Sequence, residues 1–531
     1  MGGHRNKNVN ELFMTHRGYF GVLVHLMLAL TATHGFGQMK MAYQVRFVEP
    51  EKHYAEIQLT CNGLPDGQTN FVLPVWSPGY YQILDSPKHI IDFKATNAEG
   101  ESLVWHKKSK NIWQVENGNE DAVSITYRVF ANKKSVAESK IDSTKAFIMP
   151  NNMFMHVQDN LNQPVTVKFT PYQGWNKFST GLKSIADHTF YAKDFDVLYD
   201  SPIYMGNQKT LEFENEGKFY HLGIVTPEGL DEERFVSDLK KMMSATTELM
   251  QHIPYDNYSY IMMEAGGGGL EHWNSQAVFT GGSFNFKLDE QYIDFMNFIT
   301  HEYFHLYNVK AIRPIALGPF DYSRENYTDM LWVSEGITVY YEYLIMMRAG
   351  LLSPEKALDY LSSSIRRYEN SEGKNHMSLS RSSFDIWLNF LSRDENAEDT
   401  TISYYNKGPI IGFLLDLEIR HSSNNQKSLD DVMRFLYNEY YLKQERGFTK
   451  EEFWSSCEQM AGRSLEEIRT YVDTVKPIDY QKYLDYAGLQ IDLGLLEEQD
   501  VETLVKRSYQ LSEKQGATKE QLQIRNAIFA E

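Results

Sequence analysis

The sequence predicts a multidomain α+β protein: an N-terminal β-sandwich, a mixed α/β unit, a helical part and a short helical C-terminal tail. Three observations predict it. Apolar and polar residues alternate in stretches of residues 41–215, and from Asp231 onward apolar residues recur at helical spacing instead. A length of 531 residues, at about 150 per domain, leaves room for three or four domains. The boundaries fall at 38–218 for the β-sandwich, 219–350 for the α/β part, 351–478 for the helical part and 479–531 for the tail.

Residues 1–37 precede these elements. Arg5, Lys7 and Arg17 stand against one acid, Glu11, ahead of the apolar run from Gly18 to Leu30 and a small-residue exit ending at Gly37. That order predicts a secretory signal peptide, cleaved near Gly37 and Gln38, with Met14 an alternative start. The apolar stretch is shorter than the roughly 20 residues that span a bilayer. An exported, periplasmic or extracellular protein is therefore expected, with no transmembrane helix in the mature chain.

The β-sandwich rests on period two. Val123, Ile125, Tyr127 and Val129 alternate with polar residues, as do Val165, Val167 and Phe169. Each set predicts a strand with one wet face. Leu64-Pro-Asp-Gly67 and Trp76-Ser-Pro-Gly79 supply turns. Beyond Asp231, Phe235, Leu239, Met242, Met243 and Leu249 mark a helix, and a strand follows at 258–263. Ser428, Thr449 and Ser464 each stand three residues before an acid, a helix-start signature that satisfies free backbone N–H groups. After Tyr480 a short extended piece leads into a charged helix.

Composition narrows the chemistry. Lys and Arg number 52 against 71 Asp and Glu, a formal charge of −19. Phosphate binding needs a basic face, so nucleic acid is not an expected partner. Two cysteines, Cys61 and Cys457, exclude a disulfide-scaffolded fold and a cysteine-rich metal site. A metal must be held by His, Asp or Glu.

The pattern His301-Glu-Tyr-Phe-His305 offers such a site. On a helix, residues four apart share a face, so both imidazoles can hold one zinc ion, while Glu302 sits where it can take a proton from the zinc's water. The competing reading is a buried helix with two otherwise satisfied histidines. A catalytic zinc takes three protein ligands and leaves one position open. Glu335, in an apolar segment of helical spacing, is the best third ligand; Asp321, Glu325 and Asp329 compete from a turn-rich stretch. Residues 266–269, four glycines, follow a strand and let another backbone approach, and the next strand could add a peptide to its edge. A phosphate loop is the other use of such glycines, but Gly-Lys-Ser/Thr is missing. Tyr405, at the start of a helical run, is either an ordinary aromatic or a donor to a developing oxyanion.

At these residues the chain resembles the glycyl aminopeptidase family of zinc metallopeptidases, relatives of the aminopeptidase N and leukotriene A4 hydrolase group. The resemblance rests on His301-Glu-x-x-His305-x-Tyr-Asn308-x-Lys310-x-x-Arg313-Pro314 and on Leu73-Pro-Val-Trp76-Ser-Pro-Gly79-x-Tyr81. Tyr307 stands where the family more often has Trp. The resemblance implies a thermolysin-like catalytic domain with one zinc ion on His301, His305 and Glu335, and Glu302 as general base. It implies that Tyr405 stabilises the oxyanion. Glu271 would bind the free α-ammonium of a peptide, with Gly268, Gly269 and His272 in the same exopeptidase loop. Substrates would be peptides with a free N-terminus, cleaved after small residues such as Gly or Ala. The alternatives are a zinc endopeptidase of the same fold and a non-catalytic peptide-binding envelope protein. Family members commonly end in a PDZ domain, and the residues after Tyr480 are too few and too helical to predict a complete one.

Overall fold

The computed structural model describes residues 39–264, 266–280, 284–389, 394–494 and 507–529. The expected signal peptide lies outside the described residues. Among those described, no helix is long and apolar enough to cross a membrane.

Alternation becomes sheet where it was expected. Ala122–Phe130 buries Val123, Ile125, Tyr127 and Val129, and Val165–Thr170 buries Val165, Val167 and Phe169. Both belong to one seven-stranded sheet, in the order Lys183–Ala186, Thr189–Ala192, Val165–Thr170, Lys40–Arg46, Tyr54–Asn62, Ala122–Phe130 and Ile90–Thr96. Only the pair Lys40–Arg46 with Val165–Thr170 is parallel within it. Two four-stranded sheets share its core. One contributes Phe71 and Trp113, the other Ile148 and Ile203, against Tyr43, Ile57 and Ile125 of the large sheet. Inside this core three tyrosine hydroxyls donate to three successive backbone carbonyls: Tyr127 to Met153 (2.8 Å), Tyr199 to Phe154 (2.9 Å) and Tyr43 to Met155. A buried hydroxyl and a buried carbonyl each need a partner, and here each satisfies the other.

A five-stranded sheet follows, in the order Lys209–Asn215, Lys218–Ile224, Asn257–Met263, Ser275–Phe279 and Gly269–His272. Gly269–His272 is therefore an edge strand, antiparallel to Ser275–Phe279. The helix Glu232–Met250 starts at Asp231, whose carboxylate accepts from the Glu233 and Arg234 N–H groups, and it buries the predicted apolar stripe. The helices Asp289–Phe304, Ile337–Arg348, Pro354–Glu369 and Tyr404–Ser422 then pack around one apolar core. Ser428 and Thr449 form the expected reciprocal caps with Asp431 and Glu452. Ser464 does not form such a reciprocal cap with Glu467; its oxygen accepts from the Glu466 N–H instead (3.3 Å). Its hydroxyl and the Leu465 N–H both donate to Glu458 of the preceding helix (3.2 and 3.0 Å), so the next helix begins one residue later, at Glu466–Asp473.

In the tail, Leu489–Asp492 pairs with Gln510–Glu513, and Lys519–Phe529 lays Ile524, Ile528 and Phe529 on the helical core. Cys61 and Cys457 are both free, one in the β core and the other in the helical core.

Candidate active site

The helix Asp289–Phe304 buries Tyr292, Phe295, Ile299 and Tyr303, which turns His301 and Glu302 toward a cavity; His305 follows as its C-cap. The two imidazoles approach through Nε2, 3.0 Å apart. Glu335 Oε2 lies 3.5 Å from His301 Nε2 and 3.3 Å from His305 Nε2. A tetrahedral ion with bonds of about 2.0–2.1 Å separates its ligands by about 3.3 Å, so these three atoms fit a single small cation. Each ring is oriented by its other nitrogen. His301 Nδ1 is 2.8 Å from Glu342 Oε2, and His305 Nδ1 is 2.7 Å from the Asn308 carbonyl. Such partners fix which nitrogen faces a metal.

Glu335 stands in a π-helical turn, Trp332–Gly336, that runs into the helix Ile337–Arg348. A π turn shifts a side chain out of helical register and loosens the carbonyls around it. Asn308, fully buried, takes up that slack: its side-chain amide donates to the Val333 carbonyl (2.7 Å), the Ser334 carbonyl (3.3 Å) and Thr338 Oγ1 (3.0 Å). Of the competing carboxylates, Asp321 is engaged with Arg324 (2.7 Å) and Asp329 with Lys450 (2.8 Å), and Glu325 does not join the cluster of His301, His305 and Glu335.

Tyr405 opens the helix Tyr404–Ser422, where Ser403 accepts from its N–H. Its ring centre lies 6.3 Å from that of His301. The two helices cross glycine on glycine: a Cβ on Gly336 would come within 2.5 Å of the Gly408 Cα. Only residues without side chains permit that spacing.

Glu271 projects from the edge strand into the same cavity, and its carboxylate, that of Glu302 and a His305 nitrogen lie within 4.8 Å of one another. Lys310 Nζ stands 3.7 Å from Glu271 and 2.8 Å from Asp200. Every predicted site residue except His272 lines this cavity of about 270 Å³. His272 is a neighbour of Glu271 on a strand and so faces the other way; it is 1% exposed and sits 3.2 Å from Asp200.

Charge is unevenly distributed here. Burial pushes the Glu302 carboxyl up to about 7, against the opposing pull of His301 and His305. Burial also acts to raise Glu335, but the two imidazoles outweigh it and hold that carboxyl below its ordinary value. One carboxyl is thus poised to exchange a proton near neutrality and its neighbour is kept ionised.

Comparison with known proteins matches two parts of the chain to one family. Residues 42–207 match the Peptidase M61 N-terminal domain, and residues 294–411 match M61 glycyl aminopeptidase. The second stretch contains His301, Glu302, His305, Glu335 and Tyr405. The chain belongs to the M61 glycyl aminopeptidase family. As a member it is a metallopeptidase. An aminopeptidase N family protein from Idiomarina loihiensis has a similar structure, with a TM-score of 0.80 at 28% identity over 85% of this chain and 79% of that one. An M1 zinc metallopeptidase from Deinococcus radiodurans shares the fold at a TM-score of 0.50 and 12% identity, over 83% of this chain and 94% of its own. Aminopeptidase A from Legionella pneumophila does so at 0.51 and 11%, over 86% and 50%. Among curated protein sequences none matches.

The M61 site also contains residues to which sequence reasoning gave no role. Glu342 lies two helical turns after Glu335, a spacing that could have exposed it. Lys310 and Asn308 were visible only as letters of the motif, and Asp200 carried no signal.

Proposed function

We propose that the chain is a zinc-dependent aminopeptidase that releases small N-terminal residues, such as Gly or Ala, from peptides. The observation that carries this reading is the convergence of His301, His305 and Glu335 within one cavity that also holds Glu302 and Glu271. Two imidazoles and a carboxylate suit zinc. When bound, zinc supplies Lewis-acid polarisation of the scissile carbonyl and acidifies water. Glu302 takes the proton of the attacking water on its carboxylate and hands it to the leaving amine. Tyr405 donates its hydroxyl to the oxyanion of the tetrahedral centre. Glu271 receives the free α-ammonium, and the edge strand Gly269–His272 offers backbone groups to the peptide. Glu342 and Asn308 hold the two imidazoles in the orientation that metal binding needs. The basic start and short apolar run of residues 1–37 support export, which N-terminal sequencing of the mature protein tests.

The test is a pair of substrates, an alanyl chromogen and its N-acetylated peptide counterpart. Glu271→Ala should depress hydrolysis of the free-amine substrate far more than that of the blocked one. Equal losses would show that Glu271 is not the anchor and would favour an endopeptidase.

A further inference from the structure

The turn at residues 76–81 has no part in the chemistry above, yet it reaches the cavity. It is pinned from both sides. The Trp76 indole donates to the Asp321 carbonyl (2.8 Å) and the Val75 N–H to the Tyr322 carbonyl (2.9 Å). On the β side, Asn151 donates to the Trp76 carbonyl (3.1 Å) and the Ser77 hydroxyl to Ala137 O (3.2 Å). At its tip Gly79 has φ +83°, and a Cβ there would lie 2.7 and 2.9 Å from the two Glu271 carboxylate oxygens. The Gly79 backbone therefore covers the carboxylate to which the substrate's ammonium is assigned. Tyr80 and Val136 line the cavity beside it, and the Tyr80 hydroxyl is bonded with Ser135.

This geometry bears on the substrate's first side chain. In an aminoacyl substrate one Cα carries the ammonium, the scissile carbonyl and the side chain. With the ammonium at Glu271 and the carbonyl at the metal ligands, the side chain must leave through the space that remains. We propose that Tyr80 and Val136, brought in by the β-rich region, form the wall that limits this side chain and so set the preference for small residues. The proposal rests on the aminopeptidase reading of Glu271.

The experiment compares kcat/KM for leucyl and alanyl p-nitroanilide in the zinc-loaded full chain and in Tyr80→Ala, Tyr80→Phe and Val136→Ala. One or two methylenes in an apolar pocket are worth about tenfold or more in discrimination. The leucyl-to-alanyl ratio should therefore rise at least about tenfold in Tyr80→Ala. It should also rise in Val136→Ala, and Tyr80→Phe, which keeps the ring, should retain the wild-type ratio. Val136→Ala decides the matter if Tyr80→Ala does not fold. An unmoved ratio in the folded variants overturns the wall and leaves the aminopeptidase reading intact. A wild-type chain inert on both chromogens but active on acetylated peptides overturns that reading, and the wall with it.

Discussion

Two buried regions of this chain satisfy their polar groups in opposite ways. The β core uses neutral donors: three tyrosine hydroxyls on the carbonyls of Met153, Phe154 and Met155. The cavity region encloses charge instead, with Glu335, two histidines and the half-buried Glu342 on one side and Glu271 with the half-buried Lys310 and Asp200 on the other. A neutral pair is complete in itself, whereas a buried charge is tolerable only while its counter-charge is present. The difference teaches that one region is built to stay folded and the other to bind something positive. Changes in the first should move stability and leave chemistry alone, and changes in the second should do the reverse.

The sharpest way to break that contrast is Glu302→Gln, which keeps shape and removes the base. It should lower kcat/KM by about 10²–10⁴-fold or more, while metal content and melting temperature stay near those of wild type. Full activity would end the proposed mechanism. Leu59→Ala strikes the other region, at a fully buried strand position. It should cost about 2–5 kcal/mol in denaturant unfolding, with kcat/KM per folded molecule as in wild type. Glu342→Gln should weaken zinc affinity by about 10–100-fold, read by competition with a chelator. An unchanged affinity would remove Glu342 from the site.

The smallest effect concerns His156, buried in the β core 2.9 Å from the Tyr199 hydroxyl. Burial holds its imidazole down to about 3, against an ordinary 6.5. The folded state thus keeps it neutral while the unfolded chain takes up a proton below 6.5. Its contribution is present above that pH and is lost as pH falls toward 3. Unfolding free energy should drop by about 1.4 kcal/mol between pH 8 and pH 5.5 on account of this group. His156→Gln should flatten that drop, and an identical drop in the variant would assign it elsewhere.

What the sequence revealed follows from the range of each signal. Alternation at Val123–Val129 and the i, i+4 pair His301 and His305 are local periodicities, and both appear in the structure as read. Glu335 was harder: its helical segment favoured it over Asp321, Glu325 and Asp329 in their turn-rich stretch, but only weakly, and the family resemblance added the rest. Ser464 misled because Glu458, from another helix, takes its hydroxyl proton and the Leu465 N–H, and the helix starts one residue later. His272 could have been set aside by strand alternation once Glu271 was placed in the cavity. Gly79 and Tyr80 were beyond reach, because their nearness to Glu271 joins segments almost 200 residues apart and depends on how those segments pack.

The glycine crossing of Gly336 and Gly408 has a consequence for the dimensions of the site. Glu335, the proposed carboxylate ligand, and the Tyr405 hydroxyl ride on two rods whose separation is gauged by hydrogen atoms alone. No rotamer lies between them to flex, and no smaller residue exists to bring them closer. Any substitution there can only widen the gap, so the reach of Tyr405 toward His301, His305 and Glu335 is fixed by backbone thickness and can be altered in one direction only.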